Sequence, residues 1–187
     1  MLEYIEEAHL YLYNGVIIPS VSRILHKYIF KDKYKDVPEN ILKAKAKYGS
    51  EVHKAIEDLE NLEDYKVSSI YQELSIGQYL DLKIKNNISV LEQEKMVCYK
   101  GIYAGRFDMI ANVNNELCLI DIKTTAELDL EYLSWQLSLY ELADGRKFDK
   151  FYCIWLPKKG IGKLVEIERK NIKEIEKLLE EIEKNEI

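Results

Sequence analysis

The chain has 187 residues, 47% of them hydrophobic and 32% charged, which allows one domain with a real core and is typical of soluble globular proteins. No apolar run approaches the length of a membrane span, and the first residues lack the basic and apolar regions of a signal peptide, so we expect a cytoplasmic protein with no membrane partner. The formal net charge of −6 argues against a general nucleic-acid binder.

Basic residues are concentrated in one part of the chain in spite of this net charge. Between Arg23 and Lys54 nine basic residues outnumber four acidic ones. Such a local excess can contact the phosphates of a nucleic acid, and a solvated helix surface explains most of the same lysines equally well. The basic residues are Arg23, Lys27, Lys31, Lys33, Lys35, Lys43, Lys45, Lys47 and Lys54.

The N-terminal segment predicts a β-hairpin followed by a short helix. Residues 8–13 and 16–18 are strand-like, and the Asn-Gly dipeptide between them is typical of a type I′ turn. Ser20 can cap a helix over about residues 21–28, because its hydroxyl can accept a hydrogen bond from an amide of the first turn.

A longer helix is predicted over about residues 39–59, beginning just after Pro38. His53 falls on its apolar side, together with Val52 and Ile56. An inward histidine is more often a satisfied core residue than a metal ligand, so this position alone favours the core.

The first core strand should follow a second helix. Helical spacing extends over residues 68–86, and an alternating pattern then covers residues 89–99. Glu92 and Glu94 fall on the face of this strand that also carries Met96. Either carboxylate can serve as a further acidic ligand, but we expect both in the exposed part of the strand.

Two further strand-like runs carry the charged residues of greatest interest. Residues 103–111 and 116–125 flank an Asn-rich turn and predict a hairpin, and the second run is apolar on both faces, as in a central strand. Asp108 lies on the first, while Asp121 and Lys123 share one face of the second. Two carboxylates on adjacent strands repel each other unless a cation lies between them, and hard divalent ions take such ligands. An ordinary buried ion pair is the alternative.

The remaining elements are a helix, two strands and a last helix. The helix should cover about residues 128–145, with Gln136 and Tyr140 one turn apart on one face. Residues 151–156 predict a buried strand and residues 163–169 an edge strand. A polar boundary row on an amphipathic helix would explain Gln136 and Tyr140 without any function.

An Asp on one strand followed by Asp-x-Lys on the next resembles the PD-(D/E)xK nuclease superfamily. Here these residues are Asp108 and the segment from Asp121 to Lys123, with Phe107 in the place of the proline of the name. The resemblance makes a metal site the better explanation of the carboxylates.

Three further patterns resemble the RecB-like branch of this superfamily. The spacing from Gly49 through His53 to Glu57 is similar to its Gly-x-x-x-His-x-x-x-Glu signature, in which the histidine binds the metal. Gln136 and Tyr140 resemble its fourth motif, and the Pro-Ser-Val-Ser run that includes Ser20 is similar to the opening of phage-encoded members.

The resemblance implies an α/β (α+β) fold with a restriction-endonuclease-like αβββαβ core. A central mixed sheet would be flanked by helices and extended by an N-terminal hairpin and helix. We expect a single nuclease domain over residues 1–187, with residues 1–38 as the extension and residues 39–187 as the core.

The resemblance further implies a Mg²⁺- or Mn²⁺-dependent deoxyribonuclease, an exonuclease of the RecB-like phage type. A structure-specific endonuclease, an RNA nuclease and a non-catalytic DNA-binding protein on the same scaffold remain alternatives. The partner would be DNA, with a recombination or replication protein as a second candidate, and the oligomeric state stays open. The cysteines at 98, 118 and 153 are too few and too scattered for the four-cysteine iron–sulfur cluster of some relatives, so we expect buried free thiols.

The implied site residues fall into three groups. One or two metal ions would be held by His53, Asp108, Asp121 and the backbone carbonyl of Ile122. Lys123 would orient the attacking water or neutralise the phosphate. The substrate strand would be contacted by Gln136, Tyr140, Ser20 and Arg106.

Overall fold

The computed structural model describes residues 1–33 and 35–186 of the chain. It begins with an antiparallel three-stranded sheet, in the order β1 (Leu2–Ile5), β2 (Leu10–Tyr13) and β3 (Val16–Ile18). The predicted hairpin is confirmed, and the turn residues Asn14 and Gly15 have φ angles of 52° and 79°, as a type I′ turn requires. Strand β1 was not predicted.

Helices follow the first sheet. Helix α1 (Val21–Ile24) is capped by Ser20, whose Oγ accepts a hydrogen bond of 3.1 Å from the amide of Arg23, and it continues into a π-helical turn at Leu25–Ile29. Two longer helices come next, α2 (Glu39–Glu60) and α3 (Ile70–Lys85). Both lie close to their predicted ranges.

The centre of the molecule is a five-stranded mixed sheet in sequential order. Its strands are β4 (Ile88–Tyr99), β5 (Tyr103–Val113), β6 (Glu116–Lys123), β7 (Lys150–Trp155) and β8 (Lys163–Ile167). Only β6 and β7 are parallel, and α4 (Leu130–Asp144) connects them; α5 (Ile172–Glu186) ends the described chain. The predicted mixed sheet with flanking helices is confirmed.

The sheet divides the hydrophobic core in two. Helices α2 and α3 pack on one face, where Ile120 of β6 is fully buried, and α4 and α5 pack on the other, where Leu119 is fully buried. Strand β6 is therefore the doubly covered central strand that its apolar sequence predicts. Residues 118–122 of this strand are buried, and the burial ends at Lys123.

The three cysteines are free, as predicted, although Cys98 is only half-buried while Cys118 and Cys153 are buried. Among the described residues, no helix combines the length and the apolar character that crossing a bilayer requires.

Candidate active site

Strands β5 and β6 separate at the point where their carboxylates lie. The antiparallel pairing ends with Met109 opposite Ile120. Beyond it, the amide of Ile122 donates a hydrogen bond of 2.6 Å to Oδ2 of Asp108. A side-chain carboxylate thus replaces a backbone carbonyl as the acceptor, which holds Asp108 in the gap between the strands.

His53 reaches this gap from α2. Its Nε2 lies 3.0 Å from the carbonyl oxygen of Ile122, and its Nδ1 lies 3.4 Å from Oδ1 of Asp108. A carbonyl oxygen can only accept a hydrogen bond, so Nε2 carries the hydrogen and donates the bond. If the ring is neutral, Nδ1 carries no hydrogen and faces the carboxylate oxygen of Asp108 as a second acceptor. Two acceptors this close repel each other unless a proton or a metal ion lies between them.

The electrostatics of this pair agree with that geometry. Burial lowers the pKa of His53, but the charge of Asp108 and its hydrogen bond outweigh burial and raise the pKa to about 9. Burial raises the pKa of Asp108, whereas the imidazolium beside it holds the pKa below its ordinary value. Without a metal ion, a proton on His53 therefore balances the carboxylate.

A third acidic group, Glu94, joins these two. The strand pairing on either side places Glu94 of β4 opposite Asp108 of β5. One ligand atom each from His53, Glu94 and Asp108 lie within 4.8 Å of one another. Burial and then the charge of Asp108 raise the pKa of Glu94 to about 7, which reflects two carboxylates held close together.

The expectation that Glu92 and Glu94 share one exposed face is wrong. Strand β4 departs from regular alternation here, with a shift of register between Val90 and Glu92 and a φ of 47° at Glu94. Glu92 instead binds the guanidinium of Arg146 and lies 3.0 Å from the ammonium of Lys95. Only Glu94, with 22% of its side chain exposed, joins His53 and Asp108, and we call these three residues the metal-ligand group because they could hold a metal ion.

Asp121 and Lys123 form a buried pair beside this group. The ammonium of Lys123 lies 2.6 Å from Oδ2 of Asp121, as an ion pair without the alignment of a hydrogen bond. Burial and the charge of Asp108 raise the pKa of Asp121 to about 6, although Lys123 opposes the shift. Burial lowers the pKa of Lys123, but the charges of Asp121 and Asp108 raise it above its usual value. Asp121 does not belong to the compact group of His53, Glu94 and Asp108.

Helix α4 contributes Gln136 and Tyr140 at the boundary of the same region. Nε2 of Gln136 donates a hydrogen bond of 3.2 Å to the hydroxyl of Tyr140, while its buried Oε1 has no partner among the described residues. Tyr140 packs against the backbone of Gly105, where an added Cβ would lie 2.5 Å from the tyrosine ring. Gly105 is therefore required for the position of Tyr140, a role that the sequence analysis did not assign.

The metal-ligand group opens into a cleft of about 940 Å³. Helix α2 contributes His53 and Glu57 to its lining, and the N-terminal segment contributes Tyr4 of β1 and His9 from the turn before β2. Tyr140 and Asp108 lie within the cleft, so the three-stranded sheet encloses the site and does more than extend the fold.

The two remaining predicted substrate contacts also line this cleft. Nε of Arg106 lies 2.9 Å from Oε2 of Glu94, and its guanidinium lies 5.3 Å from the centre of the Tyr4 ring. Ser20 faces the cleft while its Oγ caps α1. Arg106 thus neutralises part of the negative charge of the site. Gln136 lines an adjoining groove, together with Lys123.

The donor set suits a hard divalent cation. Two carboxylates and one imidazole are ligands that Mg²⁺ or Mn²⁺ accepts, and the nitrogen favours Mn²⁺. A cation between these groups would offset the charges that raise the pKa of Glu94 and could replace the proton between His53 and Asp108.

No protein-family model matches the chain, and no curated protein matches it. The fold is similar to the crystal structure of an alkaline exonuclease, LHK-Exo, from Laribacter hongkongensis, with 17% identity, a TM-score of 0.47, and coverage of 88% of this chain and 85% of that one. It is also similar to the crystal structure of SSO0001, with 24% identity, a TM-score of 0.39 and coverage of 59% of this chain; the match spans 56% of that chain.

Proposed function

We propose that this protein is a divalent-metal-dependent nuclease that hydrolyses phosphodiester bonds in DNA. The observation that carries the proposal is the group of His53, Glu94 and Asp108, with ligand atoms within 4.8 Å of one another in an open cleft. The buried pair of Asp121 and Lys123 beside it supplies a cation. LHK-Exo is called an alkaline exonuclease, and an exonuclease is the type that we expect here too.

In the proposed site, His53, Glu94 and Asp108 would hold the metal ion, and Asp121 beside them would be a further ligand. A bound Mg²⁺ or Mn²⁺ would lower the pKa of a coordinated water and stabilise negative charge on the scissile phosphate. For this role the His53 ring must lose its proton from Nδ1, because only that atom faces the carboxylates. Its Nε2 keeps the hydrogen that it donates in the hydrogen bond to the carbonyl oxygen of Ile122, so the ring stays oriented.

Lys123 has a different role. Its ammonium keeps its proton because Asp121 and Asp108 raise its pKa, so it can donate to a phosphate oxygen or to the attacking water. Asp121 fixes the ammonium from the buried side. Arg106, which lines the cleft and pairs with Glu94, would be available to a phosphate if Glu94 served as a metal ligand.

The test uses end-labelled linear DNA and covalently closed circular DNA with Mg²⁺, with Mn²⁺ and with chelator. Degradation of linear DNA alone indicates an exonuclease, and nicking of circles indicates an endonuclease; both require that chelator abolishes the activity. The same assay with RNA tests that alternative substrate.

Variants complete the test. Asp108→Asn should be inactive, and Asp81→Asn is the matched control, because Asp81 is an exposed carboxylate on α3. Metal-independent cleavage, or equal activity of Asp108→Asn and wild type, would refute the proposal. Metal-independent DNA binding without cleavage would favour the non-catalytic alternative.

A further inference from the structure

Two connected depressions extend from the active-site cleft around the end of β6, and together we call them the lysine groove. The first, of about 560 Å³, shares Ser22 with the cleft and is lined by Lys123 and Gln136. The second, of about 350 Å³, shares Lys45 and Thr125 with the first. A path along the surface therefore leads from the metal-ligand group to the far end of the second depression.

The lysine groove is basic although the protein is acidic. Lys33 of its first part pairs with Asp129 at 2.6 Å. Lys45, Lys158 and Lys159 line the second part, are exposed, and form no ion pair with any carboxylate of the described residues. Three uncompensated cations around one depression indicate an anionic occupant.

Neighbouring lysines on α2 behave differently. Lys43 lies 2.7 Å from Glu39, and Lys47 lies 3.9 Å from Glu51. Lys45 is two residues from each of them and so lies on a different side of α2, where it lines the groove with its charge uncompensated. Two of the three lysines are thus neutralised by carboxylates of their own helix, and the third lines the groove.

The floor of the second part is apolar. Pro157 is buried, and Tyr48 is only 8% exposed, with the ammonium of Lys158 3.6 Å from the centre of its ring. Cations beside an aromatic floor suit single-stranded nucleic acid, because Lys158 can leave the Tyr48 ring for a phosphate and so uncover that ring for an unpaired base. A duplex keeps its base faces stacked inside and cannot use this floor.

We propose that the lysine groove binds a single-stranded segment of the nucleic-acid substrate that extends from the metal centre, with its phosphates at Lys45, Lys158 and Lys159. The proposal rests on the proposed nuclease function for the identity of the polyanion. It makes the protein specific for substrates with an unpaired segment several nucleotides long.

The test is the binding of fluorescein-labelled oligodeoxythymidylates of increasing length, measured in chelator over a range of salt concentrations. The triple variant Lys45→Ala, Lys158→Ala, Lys159→Ala should lose on the order of a hundredfold in affinity for long oligonucleotides near 0.1 M salt, and the slope of log K against log salt should fall by about 2, since each single-strand contact contributes about 0.7. Short oligonucleotides should lose less, because they need not reach the second depression.

The matched control removes three other lysines, with Lys43→Ala, Lys47→Ala and Lys184→Ala. It changes the net charge equally, and each of these lysines has a carboxylate neighbour on its own helix. This control should bind as the wild type does. Thermal melts of both variants establish that they are folded.

Equal affinity and equal salt slope in the two triple variants would overturn the proposal. An equal loss for blunt duplex DNA would overturn the single-strand assignment, and displacement of the oligonucleotide by polyglutamate at similar concentration would indicate an acidic protein partner. Because the measurement needs neither metal nor cleavage, it separates the two proposals: an inactive protein can pass it, and an active nuclease can fail it.

Discussion

The crowding of carboxylates around Glu94 can be tested by removing its charge. In the metal-free protein the pKa of Glu94 is raised to about 7 from 4.5, so the folded state binds its proton more tightly than the unfolded state does. Stability must therefore fall as the pH rises from about 4.5 to about 7, where the unfolded chain has already lost this proton. Glu94→Gln, which has no proton to lose, should not show this part of the decrease.

The size of the effect follows from the shift. The difference in pKa corresponds to about 3 kcal/mol, and most of it, about 2 kcal/mol, falls between pH 5 and pH 8. Urea unfolding in chelator at these two pH values measures it. The free energy of unfolding of Glu94→Gln, relative to wild type, should rise by that amount between pH 5 and pH 8.

A bound metal ion should reverse the effect of the Glu94 charge on stability, from destabilising to stabilising. A hundredfold excess over Kd stabilises a metal-binding protein by about 2.7 kcal/mol, so Mn²⁺ should stabilise the wild type more than Glu94→Gln at pH 8. The control is Glu92→Gln, since the hydrogen bond from Arg146 holds the pKa of Glu92 below its usual value and Glu92 lies outside the metal-ligand group. Parallel pH profiles for wild type and Glu94→Gln, together with equal responses to Mn²⁺, would refute the reasoning.

Three further predictions address other parts of the site. Asp108→Asn should lose more than about tenfold in cleavage rate, measured with labelled linear DNA, because a ligand is removed; a smaller loss would remove Asp108 from the metal site. Lys123→Ala should keep metal binding by calorimetry but lose turnover, and the opposite result would reverse its role. Gly105→Ala should destabilise the fold by about 1–3 kcal/mol in urea, because its Cβ would clash with the Tyr140 ring, and cleavage should fall with it. Its control, Gly77→Ala, should stabilise helix α3 by about 0.5–1 kcal/mol, since nothing lies within 4 Å of the added Cβ; destabilisation there would show that alanine is not tolerated even in open space.

Local patterns in the sequence were sufficient for most of the fold. The Asn-Gly turn, the capping Ser20 and the helical ranges depend on residues close together in the chain, and the structure has them as predicted. The shared face of Asp121 and Lys123 follows from the alternation of a regular strand, and they do form a pair. The doubly apolar β6 likewise predicts its own central place, because both faces must be covered.

Contacts between distant segments required the tertiary structure. Strand β1 has no strong pattern of its own and is held by its pairing with β2. Glu94 enters the metal-ligand group because β4 is irregular and pairs with β5, an arrangement that the alternation of a single strand cannot reveal. The packing of α2 likewise decides that Lys45 lines the groove. Lys43 and Lys47 on the same helix pair with Glu39 and Glu51. Sequence determines which side chains share a face of one element, whereas the packing of elements decides which charges meet across space and which remain uncompensated.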